Sequence, residues 1–329
     1  GTTIEVPVKA GQNVNVGYYY QADFTVNGQT VTSNSGSTSK FESSDFTANA
    51  DGTLTITVNT LTYFTGITVG TKVPYAENIY VGADKEYKTI NDALAAVRLM
   101  DRPNSERVTI NVDPGDYQEM LVIDVDNVTL KNTAANPDTA LINKGVNITE
   151  NGVRVTSYYI HGYNYFSMTD DCKYDEEVLK TNKENGYLSF ENPGSGTTKN
   201  SYWNATVTVR GTGFEADGII FENSANQYIS TKEANDVVQE WTVGGKGTRP
   251  TTAGDTSVQN KSFVERAAAI AILGDKAYFN NCKFVGRQDT LYGASNIRAA
   301  FNKCTAMGGT DFIFGGMVAT FYKSDIMMN

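Results

Sequence analysis

The sequence predicts an all-β chain, in which a small β-sandwich precedes a right-handed parallel β-helix. Thr, Asn, Gly and Tyr are abundant and only 7 of 329 residues are proline, a composition that favours strands and turns. The first 72 residues alternate polar and apolar positions in short runs separated by turn residues. Near the end of the chain a segment repeats at an offset of 22 residues, which indicates a solenoid.

Residues 1–72 form the predicted sandwich domain, since "TIEVPVKA", "NVNVGYYY" and "TLTITVNT" are typical of short strands. Its aromatic residues could form a platform for sugar rings, or could be divided between core and surface. The domain is therefore expected to be either a carbohydrate-binding module or a spacer. The aromatic residues concerned are Tyr18, Tyr19, Tyr20, Tyr63 and Phe64.

The predicted solenoid covers residues 77–329, after a proline-containing linker at Lys72–Asn78. Its opening "YKTINDALAAV" predicts a helix that Thr89 caps, with one apolar face. Two polar stretches, residues 158–203 and 226–260, are interpreted as surface loops inserted between core strands. The apolar face of the helix consists of Ile90, Ala93, Leu94 and Val97.

The repeat becomes visible when "AYFNNCKFVGRQDTLYG", from Ala277, is aligned with "AAFNKCTAMGGTDFIFG", from Ala299. A third copy starts at Ala319, at an offset of 20. Coils of a β-helix stack at about 4.8 Å, so residues of one column lie directly above one another. The phenylalanines and cysteines are expected inside the solenoid. Cys282 and Cys304 could reach disulfide distance, but we favour free, buried thiols.

The same column rule places Asp289 above Asp311. Two carboxylates at that spacing cannot both ionise cheaply, so one is expected to hold a proton while the other stays ionised. An acid and a nucleophile at one site need that arrangement. The alternative is a pair of solvent-facing turn residues, which the apolar neighbours Leu291, Ile313 and Phe314 disfavour.

Composition and charge exclude several classes of function. A net charge of −10 argues against partners that are nucleic acids or anionic membrane surfaces. The sequence contains no CxxC pair, so a thiolate zinc site is not expected. It has only one histidine, His161, so a metal site with several histidines is not expected either. The sequence contains no run of about 18 apolar residues, so it predicts no membrane-spanning helix. We expect no metal and no cofactor.

The two acid motifs, "GRQDTLYG" and "GGTDFIFGG", resemble the paired signatures of pectin methylesterases, carbohydrate esterases with a right-handed β-helix fold. "PGDYQE" and "VERAAAIAILGDKAYFNNCKF" are similar to further segments of that family, so that the resemblance covers residues 77–329. It implies that Asp311 is the nucleophile, Asp289 the general acid and then the base, and Gln288 a donor to the oxyanion. We further expect Tyr292, Phe314 and Arg266 to contact the substrate.

Two features depart from the family pattern. Arg266 stands where many members have a glutamine that gives a second oxyanion donor. No "GRPW" element follows Asp311, although in the family it supplies an arginine to the nucleophile and a tryptophan to the sugar. The roles of this arginine and this tryptophan are therefore not assigned to any residue of the chain. The solenoid is expected to be truncated at this end, and activity without the "GRPW" element is expected to be weak.

The resemblance implies an enzyme that removes methyl esters from galacturonate units of pectin. Two alternatives stay open: a lyase or glycosidase on the same fold, and a non-catalytic carbohydrate-binding solenoid. Neither clustered acids for a calcium site nor further acids at glycosidase separations are evident near "QDTLY". We expect pectin as the partner, a monomer, and a location outside the cell or at its surface, because pectin is wall-bound.

Overall fold

The computed structural model describes residues 1–34, 41–160, 205–236, 250–260 and 266–328. The all-β prediction is confirmed, since strands dominate the described chain and only two α-helices occur in it. The chain forms two compact units: Gly1–Ala76 with Leu94–Glu106, and Glu77–Ala93 with Arg107–Asn329. His161, the single histidine, and Cys172, the first of the three cysteines in the sequence, lie outside the described residues.

The first unit is the predicted sandwich of two antiparallel sheets around one core. The four-stranded sheet has the order β1-β6-β3-β4, with bounds Thr3–Val8 (β1), Gln21–Val26 (β3), Gln29–Asn34 (β4) and Gly52–Val58 (β6). The three-stranded sheet has the order β5-β2-β7, with bounds Gln12–Tyr19 (β2), Phe41–Thr47 (β5) and Phe64–Thr71 (β7). Alternate residues of both sheets fill the core, including Val14, Val16, Phe24 and Ile56 at 0% exposure.

The aromatic residues of this unit are divided between core and surface. Tyr18 is 5% exposed and belongs to the core, and the partly buried Phe64 packs against that core. Tyr20 and Tyr63 pair with their ring centroids 5.7 Å apart, and Tyr63 is 36% exposed. Two residues of the predicted linker form strand β8 (Val73–Pro74), which pairs in parallel with β10 (Met100–Asp101).

Helix α1 (Ile90–Arg98) begins where the sequence predicts. Thr89 accepts a hydrogen bond from the Asp92 N–H at 3.0 Å, and the predicted apolar face is buried. The carboxylate of Glu119 also accepts from the N–H groups of Ile90 and Asn91, both at 3.0 Å. An acid at a helix N-terminus satisfies donors that the helix itself leaves free. "GDYQE" therefore contributes to capping this helix.

The second unit is a right-handed parallel β-helix with three parallel sheets, and each of its five middle coils gives one strand to every sheet. Its seven-stranded sheet consists of β9 (Asn78–Val81), β11 (Val108–Val112), β14 (Val128–Asn132), β19 (Glu215–Asp217), β22 (Ala277–Asn280), β25 (Arg298–Asn302) and β28 (Val318–Tyr322). Its six-stranded sheet consists of β12 (Gly115–Tyr117), β17 (Val153–Ser157), β20 (Ile219–Asn223), β23 (Lys283–Val285), β26 (Thr305–Gly308) and β29 (Asp325–Met328).

The third sheet carries the acid motifs. It consists of β13 (Leu121–Ile123), β18 (Val207–Val209), β21 (Ile270–Ile272), β24 (Leu291–Gly293) and β27 (Ile313–Gly315). A short antiparallel pair, β15 (Leu141–Ile142) and β16 (Asn147–Ile148), and helix α2 (Thr231–Ala234) complete the strands and α-helices of the described residues.

The predicted columns are confirmed by the strand register. Ala277 pairs with Ala299, and Ala299 pairs with Ala319, so both offsets read from the repeat are those of the fold. The Cys304 N–H donates to Ser324 Oγ at 3.0 Å, which places this serine in the cysteine column. Cys282 and Cys304 are both buried free thiols.

The phenylalanine column lies in the solenoid core. The Phe279 and Phe301 ring centroids are 5.1 Å apart at an interplanar angle of 5°, and Phe301 and Phe321 follow at 4.5 Å and 7°. Phe301 is 1% exposed, so it is packed on both ring faces. Stacked rings at this spacing bury large apolar areas and join successive coils.

Phe301→Ala is expected to lower the free energy of unfolding by about 3–5 kcal/mol, because it opens a cavity between two stacked rings. Urea denaturation followed by circular dichroism measures the change. Phe301→Leu is the matched variant and should cost less, since it refills part of the space. Equal stability of the two variants would show that the column does not carry the packing.

The edges of both polar stretches differ from their interpretation as surface loops. Tyr158, Tyr159 and Ile160 are at most 1% exposed, although the first stretch starts there. The second stretch starts with Gln227 and Ile229, which are 5% and 0% exposed. The side chains of Tyr158 and Gln227 have hydrogen-bond partners within the fold, which composition alone does not reveal. The Tyr158 hydroxyl, for example, donates to Asp236 at 3.0 Å.

A network of charged residues on β12, β17 and β20 contains a buried ion pair, Arg154 and Glu222, and the exposed Asp116. Arg154, 1% exposed, donates through Nε to Asp116 Oδ1 at 2.8 Å and lies 3.5 Å from the carboxylate of Glu222, which is 0% exposed. Glu222 Oε1 also accepts from the Thr156 hydroxyl at 2.8 Å and the Tyr228 hydroxyl at 2.7 Å. Burial raises the pKa of Glu222, and Arg154 and the two hydroxyl donors oppose that rise.

Candidate active site

Asp289 and Asp311 occupy equivalent places in adjacent coils, each two residues before a strand of the five-stranded sheet. β24 and β27 pair in register, with Leu291 opposite Ile313. The Asp289 N–H donates to the Thr310 carbonyl at 3.1 Å, and the Leu291 N–H donates to Phe312 at 2.9 Å. The two aspartate backbones are therefore one rung apart, about 4.8 Å.

Both aspartates have a left-handed backbone conformation, with φ of 58° at Asp289 and 47° at Asp311. Aspartate is among the few residues other than glycine that adopt this conformation at modest cost. Equal backbone geometry at equal register directs the two side chains toward the same side of the solenoid. The structure thus brings the two predicted acids together.

The two acids differ in burial, since Asp289 is 4% exposed whereas Asp311 is exposed. Burial disfavours the charged form of a carboxyl group, and contact with water favours it. The pair thus combines one buried carboxyl group with one that is in contact with water.

Gln288 and Arg266 are register partners in neighbouring coils. They form an isolated parallel bridge, and the Ala267 N–H donates to the Gln288 carbonyl at 3.1 Å. Gln288 Oε1 is buried, and no hydrogen bond reaches it from any residue that the structure describes. Gln288 and Arg266, the two polar residues predicted to contact the substrate, thus lie close to Asp289 in the fold. Within the described residues, the side-chain oxygen of Gln288 accepts no hydrogen bond.

Tyr292 and Phe314, the predicted apolar contacts, are paired across β24 and β27. Their ring centroids are 5.0 Å apart at an interplanar angle of 51°. Tyr292 packs against the buried alanines Ala205, Ala268 and Ala271, while Phe314 is half-buried. The two rings therefore lie on the strands that follow the acids, each three residues beyond its aspartate in sequence.

Gly315 fixes the backbone beside these rings. Its φ is 106°, and a Cβ at this position would lie 2.0 Å from the Gly293 carbonyl oxygen. Only glycine fits so close an approach of two backbones. The third residue of each strand is glycine in both motifs, which lets the coils meet there without side chains.

Sequence reasoning missed Gln227 and Gln259. The Gln227 Nε2 donates to the Gly286 carbonyl at 3.2 Å, and its own carbonyl accepts from Gln259 Nε2 at 2.8 Å. The Gln259 carbonyl in turn accepts from Arg287 Nη1 at 2.6 Å. This chain of bonds holds the turn that leads into Gln288 and Asp289. Both glutamines belong to the stretch interpreted as a polar surface loop, so no sequence signal marked them.

Neither a metal cluster nor a membrane-spanning helix is found in the described parts of the chain. No group of three or more His, Cys, Asp or Glu side chains there is arranged to hold a metal ion. None of the described helices has the length and apolar character needed to cross a bilayer.

Residues 230–329, which include both acid motifs, match the sequence model of the pectinesterase family. A pectinesterase from Ralstonia solanacearum is 35% identical over 127 residues, which is 37% of this chain and 24% of that protein. The similarity to pectinesterases that the sequence indicates is thus confirmed.

Two solved structures are similar to this chain. The pectin methylesterase PemA from Erwinia chrysanthemi is 23% identical, with a TM-score of 0.47, over 77% of this chain and 55% of that one. Escherichia coli YbhC is 15% identical, with a TM-score of 0.52, over 79% of this chain and 58% of that one. The likeness to YbhC supports the fold alone. The chain spans little more than half the length of either protein.

Proposed function

We propose that this chain, which resembles the pectinesterases, hydrolyses the methyl esters of galacturonate units in pectin and releases methanol and pectate. The observation that carries the proposal is the pair of aspartates one rung apart, one buried and one exposed, in a segment that matches the family model. Gln288, Arg266, Tyr292 and Phe314 line up beside that pair and support the assignment.

In the first step, a carboxylate oxygen of Asp311 attacks the ester carbonyl carbon, and the carbonyl electrons move to oxygen. The Gln288 amide N–H donates to this oxyanion, a contact typically worth about 2.7–4 kcal/mol in the transition state. Asp289 gives its proton to the methoxy oxygen, the carbon–oxygen bond breaks, and methanol leaves. The product is an anhydride between Asp311 and the sugar carboxyl group.

In the second step, water attacks the sugar carbonyl of the anhydride. Asp289, now a carboxylate, accepts the proton of that water and returns to its starting state. The Asp311 carboxylate is the leaving group, and the sugar carboxyl group that forms loses the remaining proton of the water to solvent and is released as the galacturonate carboxylate. Neither step requires a redox change or a group other than the two acids and the donor.

Substrate contacts follow from the same face of the solenoid. Tyr292 and Phe314 offer apolar ring surface to the pyranose rings, and Arg266 offers a cation to free carboxylates of neighbouring galacturonates. We further propose that the protein acts as a monomer, without a cofactor, outside the cell or at its surface, where pectin lies. The sandwich unit is either a carbohydrate-binding module or a spacer.

Methanol release from highly methylated pectin tests the proposal. The chain should release methanol and raise the free carboxyl content of the polymer, without shortening it. A product absorbing as an unsaturated uronide would instead indicate a lyase, and new reducing ends a glycosidase. Retention on pectin with no chemical change would favour the non-catalytic solenoid.

Gln288→Ala is expected to lower the rate of methanol release about 10²–10³-fold, because one oxyanion donor is lost. Gln288→Glu is the matched variant: it keeps the size but places a negative charge beside the oxyanion, so it should be at least as slow. The steady-state rates of both are compared with the unmodified chain. A rate near that of the unmodified chain for Gln288→Ala would remove Gln288 from the mechanism.

A further inference from the structure

The outer face of the seven-stranded sheet carries a second set of aligned polar side chains, away from the acid pair. Alternate residues point inward, as Ile110 and Val112 do at 0% exposure, so Thr109 and Asn111 between them point outward. The register continues the Asn111 column through Lys131 and Asp217. These side chains therefore form a ladder along the solenoid axis.

A groove of about 400 Å³ lies on this face. It runs from Asn78 on β9 to Tyr278 and Asn280 on β22, with Arg107 along its side. Four rung spacings separate the first and the last of these strands, which is about 19 Å. The groove is therefore long enough for several pyranose rings lying along the axis.

The charges of the groove balance one another. Arg107 Nη2 lies 3.1 Å from a carboxylate oxygen of Glu215, and Asp217 Oδ1 accepts from Asn280 Nδ2 at 2.7 Å. With Lys131, the lining holds two cations and two acids. A balanced lining gives no net attraction for a polyanion, while its amides, hydroxyls and charged groups both donate to and accept from hydroxyl groups.

Tyr278 supplies the apolar part of the groove. It is 40% exposed, and its register neighbours on either side are Glu215 and the small Ala300. A tyrosine ring offers an apolar face and a polar tip, which suits a sugar ring with its own apolar face and its hydroxyl rim. Stacking on one ring, beside a ladder of donors and acceptors, is chemistry suited to a carbohydrate.

We propose that this groove binds a neutral polysaccharide chain lying along the solenoid axis. The site is on the seven-stranded sheet, whereas each acid of the pair lies two residues before a strand of the five-stranded one. Binding here would hold the protein on an uncharged wall polymer independently of the esterase reaction, and the inference does not depend on that reaction.

Affinity gel electrophoresis of the whole chain tests this inference, with hydroxyethyl cellulose, β-1,4-galactan and polygalacturonate as separate probes. We expect retardation in at least one neutral gel, with Tyr278→Ala weakening the affinity about tenfold. Tyr322→Ala is the matched control, because Tyr322 is an exposed tyrosine of the same sheet outside the groove. It should migrate like the unmodified chain.

Several outcomes would overturn the inference. These are migration unaffected by both neutral polymers, retardation by polygalacturonate alone, or equal weakening by Tyr278→Ala and Tyr322→Ala. A second variant, Lys131→Gln, should keep binding to the neutral polymer within about twofold, because the ligand carries no charge. Asp311→Asn should leave the retardation unchanged, so that failure of the esterase proposal and failure of this one are separate results.

Discussion

Asp311→Asn is expected to reduce methanol release from methylated pectin by about 10⁴-fold or more, because the amide cannot form the anhydride with the substrate. The side chains have the same shape and the backbone keeps its left-handed turn, which asparagine also tolerates. Methanol release under saturating pectin measures the loss, and circular dichroism should show an unchanged fold.

Two further variants serve as comparisons for Asp311→Asn. Asp289→Asn should also reduce turnover strongly, since it removes both the proton donor for methanol and the base for water. Asp325→Asn changes an exposed aspartate of β29 and should keep the full rate. If Asp311→Asn kept most of the unmodified rate, the two acids would be ordinary turn residues and the catalytic interpretation of their column would be wrong.

Arg154→Met is expected to lower the free energy of unfolding by about 3–5 kcal/mol, because it leaves the Glu222 carboxylate buried without its cation. Urea denaturation, followed by a probe of the β-helix unit, measures this loss. Lys131→Met, which removes an exposed cation of the same unit, should change stability by less than about 0.5 kcal/mol.

The double variant Arg154→Met/Glu222→Gln separates a lost charge pair from lost packing. Glutamine keeps an acceptor for the Thr156 and Tyr228 hydroxyls but carries no charge that needs compensation. The double variant should therefore be more stable than Arg154→Met alone. If Glu222→Gln lowered the stability of the Arg154→Met variant further, the burial of an unpaired charge would not explain the loss of stability caused by Arg154→Met.

The repeat made the solenoid and the acid pair predictable. Positions 22 residues apart must coincide when coils stack, so the aligned phenylalanines, cysteines and aspartates fixed both the register and the proximity of Asp289 to Asp311. Helix α1 was predictable for a similar reason, because a cap and a periodic apolar face are both local signals.

The features that the sequence did not predict depend on contacts between residues far apart in sequence. Gln227 reaches Gly286 across 59 positions, and Arg154 meets Glu222 across 68. Polar residues of these kinds are mostly exposed, so their composition favours a surface interpretation. Their burial follows only from partners that the fold supplies. The unequal burial of the two aspartates could not be predicted from the repeat either, because the alignment gives Asp289 and Asp311 equivalent positions.

The backbone bonds between the two acid-bearing coils also make the site measurable in solution without substrate. The amide protons of Asp289 and Leu291 are bonded to carbonyls of the next coil, so they exchange with solvent only when that coil separates. The same separation moves the two carboxylates apart. Hydrogen–deuterium exchange at these two amides therefore reports the fraction of time for which the two coils stay paired at the acids.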